Sequence, residues 1–233
     1  MIKGISLKKL FLLILFITSL VFHAPADDAE IEDLSYAFGM YFAWDLIDTG
    51  FVIDYEEFTR GFREYYEGEL TRFSLDDAII VLQTAFDQLY AVEMERLQIE
   101  GERNLETGRA FLAQNALRPG VIVTATGLQV EMLREGSGNM PVMSDMVTVH
   151  YRGTLLDGTV FDSSYDFGEA LSIPLEMVIP GWSEGLLLMR EGGRAMLYLP
   201  PELAYGDMNI GSVPPNSVLI FEVDFLYIND SVP

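Results

Sequence analysis

Apolar residues in the first half of the chain recur at every third or fourth position, which is the spacing of one face of an α-helix. Between residues 31 and 46 this stripe consists of Ile31, Leu34, Phe38, Tyr41, Phe42 and Leu46. A first helix is therefore expected there, ended by Gly50. Asp54 followed by Glu57 is typical of a capping box and predicts a short second helix, which Gly68 closes.

A third helix is expected to begin after Ser74 and to continue to about Asn115, because Pro119 is the first helix breaker beyond it. About 40 residues of helix would span roughly 60 Å. The first half of this helix is apolar and should pack in a helical cluster, whereas the charged second half should cross solvent as a strut. Gly101 and Gly108 each weaken the helix by about 1 kcal/mol and leave room for a bend.

The first two helices are short and rich in aromatic residues. Three helices of this kind would leave apolar surface exposed, which predicts burial against a second copy of the chain. A homodimer is therefore expected, and a self-contained three-helix cap is the alternative.

From Pro119 onward the hydrophobic period changes to two, the period of a half-buried strand. Alternation of this kind runs through residues 128–133, 147–151, 194–199 and 220–227. Asp157-Gly158 is a strong hairpin signal between two of these runs. Residues 180–189 are the only helical candidate in this half. An antiparallel sheet carrying one short helix is expected, which makes the chain an α+β protein.

The N-terminus combines three lysines, an apolar run from Leu10 to Phe22 and the small-residue exit Ala24-Pro25-Ala26. This arrangement is typical of a secretory signal peptide cleaved near Ala26. The run is shorter than the roughly 20 residues that cross a bilayer, and an uncleaved anchor is the alternative. The formal net charge of -22 disfavours nucleic acid and anionic membrane surfaces as partners.

Candidate catalytic residues are few in this sequence. It contains no cysteine, which excludes disulfides, thiol catalysis and cysteine metal sites. Beyond the leader His150 is the only histidine, and no Gly-x-Ser-x-Gly elbow accompanies it. The sequence has neither a calcium-binding loop nor a glycine-rich phosphate loop, so no metal and no cofactor are expected.

An aromatic set in the second half is the remaining candidate site. It consists of Tyr151, Phe161, Trp182, Tyr205 and Phe221, with Asp162 the one carboxylate among them. Each aromatic residue by itself is more readily explained by a place in the core. Taken together, their positions at strand ends and on loops favour a lined concavity.

Four motifs surround these residues in a fixed order. They are Val149-His150-Tyr151-Arg152-Gly153, Asp157-Gly158-Thr159-Val160-Phe161-Asp162-Ser163-Ser164, Val178-Ile179-Pro180-Gly181-Trp182, and Ala204-Tyr205-Gly206 followed by Pro214-Pro215. With them the stretch from about Thr126 to Ile228 resembles the FKBP family of peptidyl-prolyl isomerases. The segments at 35–39 and 111–115 resemble the exported Mip-like and FkpA-like bacterial subgroup of that family.

The resemblance implies an all-helical N-terminal dimerisation domain with a long connecting helix, followed by an antiparallel sheet wrapped around a short helix. The expected domains are a signal peptide over residues 1–26, the helical dimerisation domain over 27–118 and the isomerase domain over 119–233. The implied location is the periplasm or the cell surface. Implied ligands are proline-containing unfolded or exported polypeptides and the macrolide inhibitors of the family.

The resemblance also implies the roles of nine residues. Trp182 should form the floor of a prolyl pocket, the Ile179 amide should hold a substrate carbonyl, and Tyr205 should offer its hydroxyl to the peptide. Asp162 should orient polar groups at the rim. The walls should be Tyr151, Phe161, Val178, Val213 and Phe221. Two features differ from the family pattern: Ile173 is aliphatic where an aromatic wall is common, and the loop at 207–212 is about one residue short.

Two functions are expected from these observations. The first is a peptidyl-prolyl cis-trans isomerase that assists the folding of exported proteins and needs no nucleophile, because rotation about an amide breaks no bond. The alternative is a non-catalytic chaperone or adhesive scaffold in which a cleft of the helical dimer holds clients.

Overall fold

A computed structural model describes residues 28–47 and 49–229 of the chain. The chain divides into two compact units after Val92, and each is described separately below. The predicted signal peptide and its alternative, an uncleaved anchor, lie outside the described residues. Within the described ranges no helix is both long and apolar enough to cross a membrane.

The first unit consists of the helices α1 (Asp28–Ile47) and α2 (Tyr55–Tyr66) and the start of α3 (Leu75–Asn115). The Asp54 carboxylate caps α2 by accepting the N–H groups of Glu56 at 3.0 Å and Glu57 at 3.1 Å. Only half of the expected capping box forms, because the Glu57 side chain pairs with an arginine one turn later. Ser74 caps α3 as predicted: its Oγ accepts the Asp77 N–H at 3.1 Å.

The first unit has no core of its own. None of its described residues is buried in the single chain, although the helices carry many large apolar side chains. Trp44 is 66% exposed and Tyr66 is 79% exposed. Contacts between helices are few, such as the tilted pair of Phe42 on α1 and Phe58 on α2 with ring centroids 6.1 Å apart. The described residues of this unit therefore do not form the self-contained three-helix cap that was the alternative to a homodimer.

The second half of α3 belongs to the second unit, and one expectation about it is wrong. The helix is continuous through Gly101 and Gly108, and both glycines are buried; a bend at either glycine stays a prediction. This half is no strut through solvent, since its end packs on the sheet. The buried Asn115 donates to the Gln129 side chain at 2.8 Å, and the Phe111 ring lies 5.9 Å from the Tyr198 ring.

A seven-stranded antiparallel sheet forms the body of the second unit. Its strands are β1 (Val121–Val123), β2 (Gln129–Arg134), β3 (Met146–Thr154), β4 (Val160–Ser163), β5 (Leu171–Pro174), β6 (Arg194–Leu199) and β7 (Leu219–Asn229). The order is β1-β2-β6-β7-β3-β4, and β5 pairs with the other end of β3. Strand β3 thus lies between β7 and the pair β4 and β5.

The four strands predicted from alternation are confirmed as β2, β3, β6 and β7. The strands β1, β4 and β5 are only three or four residues long, too short to display a period. A second short helix, α4 (Ser164–Phe167), also lies in this half. The prediction that residues 180–189 are the only helix there is therefore wrong.

That candidate forms α5 (Pro180–Leu187), which lies against the sheet. Two buried glycines allow the close approach, since a Cβ at Gly181 would lie 2.5 Å from Leu199 Cγ and one at Gly185 would lie 2.7 Å from Leu197 Cδ1. The expected architecture, a helical region with a long helix followed by an antiparallel sheet around a short helix, is confirmed. The compact units divide inside α3, and the predicted domain limits at residues 118 and 119 stay a prediction.

Candidate functional site

The nine predicted site residues come from five separate segments of the second unit. Tyr151 lies on β3, Phe161 and Asp162 on β4, Val178 and Ile179 before α5, and Trp182 in its first turn. Tyr205 and Val213 lie on the connection to β7, and Phe221 near the start of that strand. The structure brings them together. Eight of them belong to the apolar core or pack against it, and Asp162 bonds to one of the eight.

Edge-to-face aromatic contacts organise this cluster. The Trp182 ring lies 4.9 Å from the Tyr151 ring and 5.2 Å from the Phe221 ring, at interplanar angles of 85° and 81°. The ring centroids of Phe161 and Phe221 lie 5.4 Å apart, at an interplanar angle of 87°. Such T-shaped pairs place the positive edge of one ring on the negative face of the next, which fixes their mutual orientation. Tyr151, Trp182, Val213 and Phe221 are buried, and Phe161 is half-buried, so the cluster is a packed floor with a partly open wall.

Gly153 on β3 is required for this ring arrangement, a role that the local sequence pattern does not indicate. A Cβ there would lie 2.6 Å from Phe161 Cζ and 2.8 Å from Phe221 Cε1. Both distances are far below carbon–carbon contact at ~3.5 Å. The glycine ends the Val149-His150-Tyr151-Arg152-Gly153 motif, and its fixed place two residues after the tyrosine is the signal that could have identified it.

Asp162 holds the hydroxyl of Tyr151, which donates to Asp162 Oδ2 at 2.6 Å. Burial, together with the nearby carboxylate, raises the pKa of Tyr151 well above its usual range. Burial and the same carboxylate also raise the pKa of Tyr205. A tyrosine hydroxyl is protonated at neutral pH even at its ordinary pKa of about 10, and the raised pKa values extend this to higher pH. Both hydroxyls are therefore hydrogen-bond donors.

Two polar groups of the cluster have no partner among the described residues. The Trp182 indole Nε1 is buried and unbonded, and the Ile179 N–H donates to no backbone or side-chain acceptor. The Ile179 carbonyl, by contrast, accepts the N–H of Trp182 at 2.9 Å and that of Ser183 at 3.2 Å. Of the two, the Ile179 N–H suits a ligand that brings a carbonyl, whereas the Trp182 Nε1 is enclosed within the core.

His150 is occupied by packing contacts. Its ring stacks on Tyr165 with centroids 4.7 Å apart, and its Nδ1 lies 3.0 Å from Ser164 Oγ. That serine also accepts the Tyr151 N–H at 2.9 Å. No described carboxylate bonds to His150, so these residues do not form a nucleophile, base and acid in series. Among the described residues there is also no cluster of three or more groups that could hold a metal ion.

Two open depressions lie at other places in the second unit. One is lined by Met143, Glu176, Val178, Pro180, Ser183, Glu184 and Leu187 and shares only Val178 with the aromatic cluster. The other lies between the end of α3 and the β1–β2 hairpin. Neither contains the unpartnered donors or the aromatic rings, and the aromatic cluster is therefore the stronger candidate site.

The chain matches two family models that together span most of its length. The FKBP-type peptidyl-prolyl cis-trans isomerase model matches residues 138–226. A model of the domain amino-terminal to FKBP-type peptidyl-prolyl isomerase matches residues 31–132. The amino-terminal match ends within β2, and the isomerase match begins just after that strand.

Individual relatives are similar over nearly the whole chain. A probable FKBP-type peptidyl-prolyl cis-trans isomerase FkpA of Neisseria meningitidis is 38% identical over 204 residues, 86% of this chain and 75% of the relative. The outer membrane protein MIP of Legionella longbeachae is 33% identical over 198 residues, 84% of this chain and 85% of the relative.

A solved structure gives the same result for the fold. The crystal structure of FkpA from Escherichia coli matches with a TM-score of 0.65 at 32% sequence identity, covering 89% of this chain and all of that one. The family indicated by the motifs around the aromatic cluster is thus confirmed by both models and by the relatives. The chain belongs to the FKBP-type peptidyl-prolyl cis-trans isomerase family.

Proposed function

We propose that the protein isomerises X-Pro bonds of exported polypeptides, and that the nine residues of the aromatic cluster form its prolyl pocket. The observation that carries this proposal is the combination of edge-to-face rings around Trp182 with the unpartnered Ile179 N–H beside them. An apolar concavity with a few directed polar groups is the usual form of a ligand site. No reactive pair is needed for the reaction.

The chemistry suits a site of this kind. Rotation about a peptide bond has a barrier of about 18–20 kcal/mol, because resonance gives the C–N bond double-bond character. The planar amide is polar through charge separation, whereas the twisted amide has lost that separation. An apolar floor therefore disfavours the planar form relative to the twisted one. Each 1.36 kcal/mol removed from the barrier raises the rate about tenfold.

The donors of the pocket have separate roles in this proposal. Trp182 forms the floor under the proline ring, and the Ile179 N–H, which lacks an acceptor among the described residues, binds a substrate carbonyl. The Tyr205 hydroxyl, which is protonated at neutral pH, donates to the bound peptide. Phe161, Val178, Val213 and Phe221 complete the walls with Tyr151.

Asp162 is an orienting group in this mechanism, because its Oδ2 is already bonded to the Tyr151 hydroxyl. It fixes the Tyr151 ring against Trp182 and adds negative charge at the rim. No proton has to move, since neither the planar nor the twisted amide gains or loses one.

An isomerisation assay on a proline-containing peptide tests the proposal. The wild type should accelerate cis-to-trans exchange, and Phe161→Ala should lower kcat/KM while the circular dichroism spectrum stays the same. Asp162→Ala should retain part of the activity, because the aspartate only orients its neighbour. A wild-type protein that does not accelerate exchange would refute the catalytic proposal, and a fully inactive Asp162→Ala would refute the orienting role.

Export and a homodimer are further parts of the proposal. Export is supported by the leader sequence and by the name of the Legionella longbeachae relative, an outer membrane protein. A homodimer is supported by the apolar side chains that a single chain leaves exposed on α1 and α2, since exposed patches of this extent mark interaction surfaces. Macrolide inhibitors of the family are expected to compete with the peptide for Trp182.

The same exposed side chains favour a second candidate function, a chaperone or adhesive scaffold that holds clients on the helical dimer. Here the prolyl pocket only adds contacts. Suppression of aggregation of an unfolded client discriminates the two functions. If Phe161→Ala abolishes isomerisation but keeps wild-type suppression of aggregation and restores growth of a deletion strain, the scaffold function dominates. If Phe161→Ala loses isomerisation together with suppression of aggregation and restoration of growth, the isomerase function dominates.

A further inference from the structure

The connection between β6 and β7 carries two of the proposed pocket residues, Tyr205 and Val213, and it has little regular structure of its own. Its shape comes from backbone bonds within it. The Asn216 N–H donates to the Gly206 carbonyl at 2.7 Å, and Ile210 and Val213 exchange bonds at 3.0 and 2.9 Å. These bonds link the two ends of the segment 206–216 and define its shape.

One face of α3 holds the far end of this loop. The Asn104 side chain donates its Nδ2–H to the Pro215 carbonyl at 2.9 Å. The Asn216 side chain reaches back to the Gly101 carbonyl, at the longer distance of 3.4 Å. Pro215 is buried. The loop is therefore attached to the helix two residues after Val213.

The two glycines of α3 make this attachment sterically possible. A Cβ at Gly108 would lie 2.8 Å from Val218 Cγ2, and one at Gly101 would lie 3.2 Å from Pro215 Cβ. Residues 101, 104 and 108 share one helix face, because they are three and four positions apart. Glycine is unfavourable inside a helix, so a pair of buried glycines on one face indicates a demand for close approach.

We infer that this face of α3 is a positioning element of the isomerase, with Asn104 and Gly108 setting the wall of the prolyl pocket that Val213 and Tyr205 supply. The inference rests on the proposed function of the aromatic cluster. Val213 is 4% exposed and packs in the same core as Trp182 and Phe221. A displacement of the loop at Pro215 therefore changes the width of the pocket.

The test uses the full chain with two variants of the helix face. Asn104→Asp replaces the donor by an acceptor that repels the Pro215 carbonyl, and Gly108→Ala pushes against Val218. We expect each to raise KM for a proline peptide about 3- to 10-fold with a nearly unchanged kcat, since a misplacement of about 1 Å can cost up to about 100-fold. A global loss of stability would instead lower the active fraction, which reduces apparent kcat and leaves KM alone.

Matched controls are available on the same chain. Gly61→Ala also adds a methyl group to a helix, but nothing lies within 4 Å of that position. Thr107→Ala removes a hydroxyl that bonds only to carbonyls of its own helix. Both should keep the wild-type KM. The double variant Gly108→Ala/Val218→Ala removes the Cγ2 that the new methyl meets, and it should recover most of the wild-type KM.

Wild-type KM values for both Asn104→Asp and Gly108→Ala, in an active protein, would overturn the inference and leave the proposed function standing. If Gly108→Ala does not fold, the test rests on Asn104→Asp, for which a raised KM with an unchanged kcat supports the inference. An inactive wild type would refute the proposed function, and the positioning role would fall with it.

Discussion

Replacing Gly153 by alanine tests the ring arrangement directly, because this glycine is the point where β3 comes closest to two rings of the cluster. The added Cβ would lie 2.6 Å from Phe161 Cζ, 2.9 Å from Phe161 Cε2 and 2.8 Å from Phe221 Cε1. Ordinary carbon–carbon contact begins at ~3.5 Å. Both rings therefore have to withdraw, or the strand has to bend.

The size of the effect follows from that overlap. Inserting a methyl group into a packed core costs about 1–3 kcal/mol, which lowers the melting temperature of a protein of this size by roughly 2–12 °C. The catalytic effect should be larger than the effect on stability. A displacement of about 1 Å at a reacting site can cost about 100-fold, and we expect kcat/KM for a proline peptide to fall about 10- to 100-fold.

The assay is peptide isomerisation combined with thermal unfolding. Gly61→Ala is the control, since a Cβ there meets nothing within 4 Å. The double variant Gly153→Ala/Phe161→Leu lacks Phe161 Cζ and Cε2, so it should regain part of the melting temperature without regaining activity. If Gly153→Ala keeps both the wild-type melting temperature and the wild-type kcat/KM, the contribution of the ring positions to catalysis is refuted.

Three further predictions concern the same structure. Tyr151→Phe removes the 2.6 Å bond to Asp162 and should lower the free energy of unfolding by about 1 kcal/mol, as measured by urea denaturation; an unchanged midpoint would contradict it. The pKa of Tyr151 is higher in the folded than in the unfolded chain. The contribution of the Tyr151 hydroxyl to the free energy of unfolding is therefore fully present below the unfolded pKa of about 10, and it is lost as pH rises above that value. The fall in melting temperature between pH 9 and pH 11 should accordingly be shallower in Tyr151→Phe. Trp44→Glu places a charge on the exposed apolar face of α1 and should halve the mass measured by light scattering, while wild-type mass in this variant would count against that face as the dimer surface.

Local patterns in the sequence are sufficient to predict much of the fold. Side chains that cap a helix act on backbone groups within three residues, and for this reason Asp54 and Ser74 marked the starts of α2 and α3 correctly. The period of two identified the four longer strands, because each buries one side against the core. The nine site residues gathered as the motifs implied, and their roles stay predictions that the experiments above test.

Local patterns do not predict contacts between segments that are distant in the sequence. Gly101 and Gly108 suggested a weakened helix, because propensity describes an isolated helix and carries no information about a neighbour. Their neighbours, Pro215 and Val218, lie more than 100 positions away in the chain. Gly153 was recognised in a motif, but the two rings that exclude a side chain there belong to β4 and β7. Short strands such as β5 depend on pairing with β3 and have no signal of their own.

The two tryptophans of the chain lie in opposite environments, and this gives the protein two intrinsic fluorophores with separable signals. Trp182 is 4% exposed and Trp44 is 66% exposed, so the first should emit at shorter wavelength than the second. A Trp44→Phe chain would report occupancy of the aromatic cluster through the remaining indole, without a label. A Trp182→Phe chain would report association of the helical units, as a blue shift of the emission when a second copy covers α1.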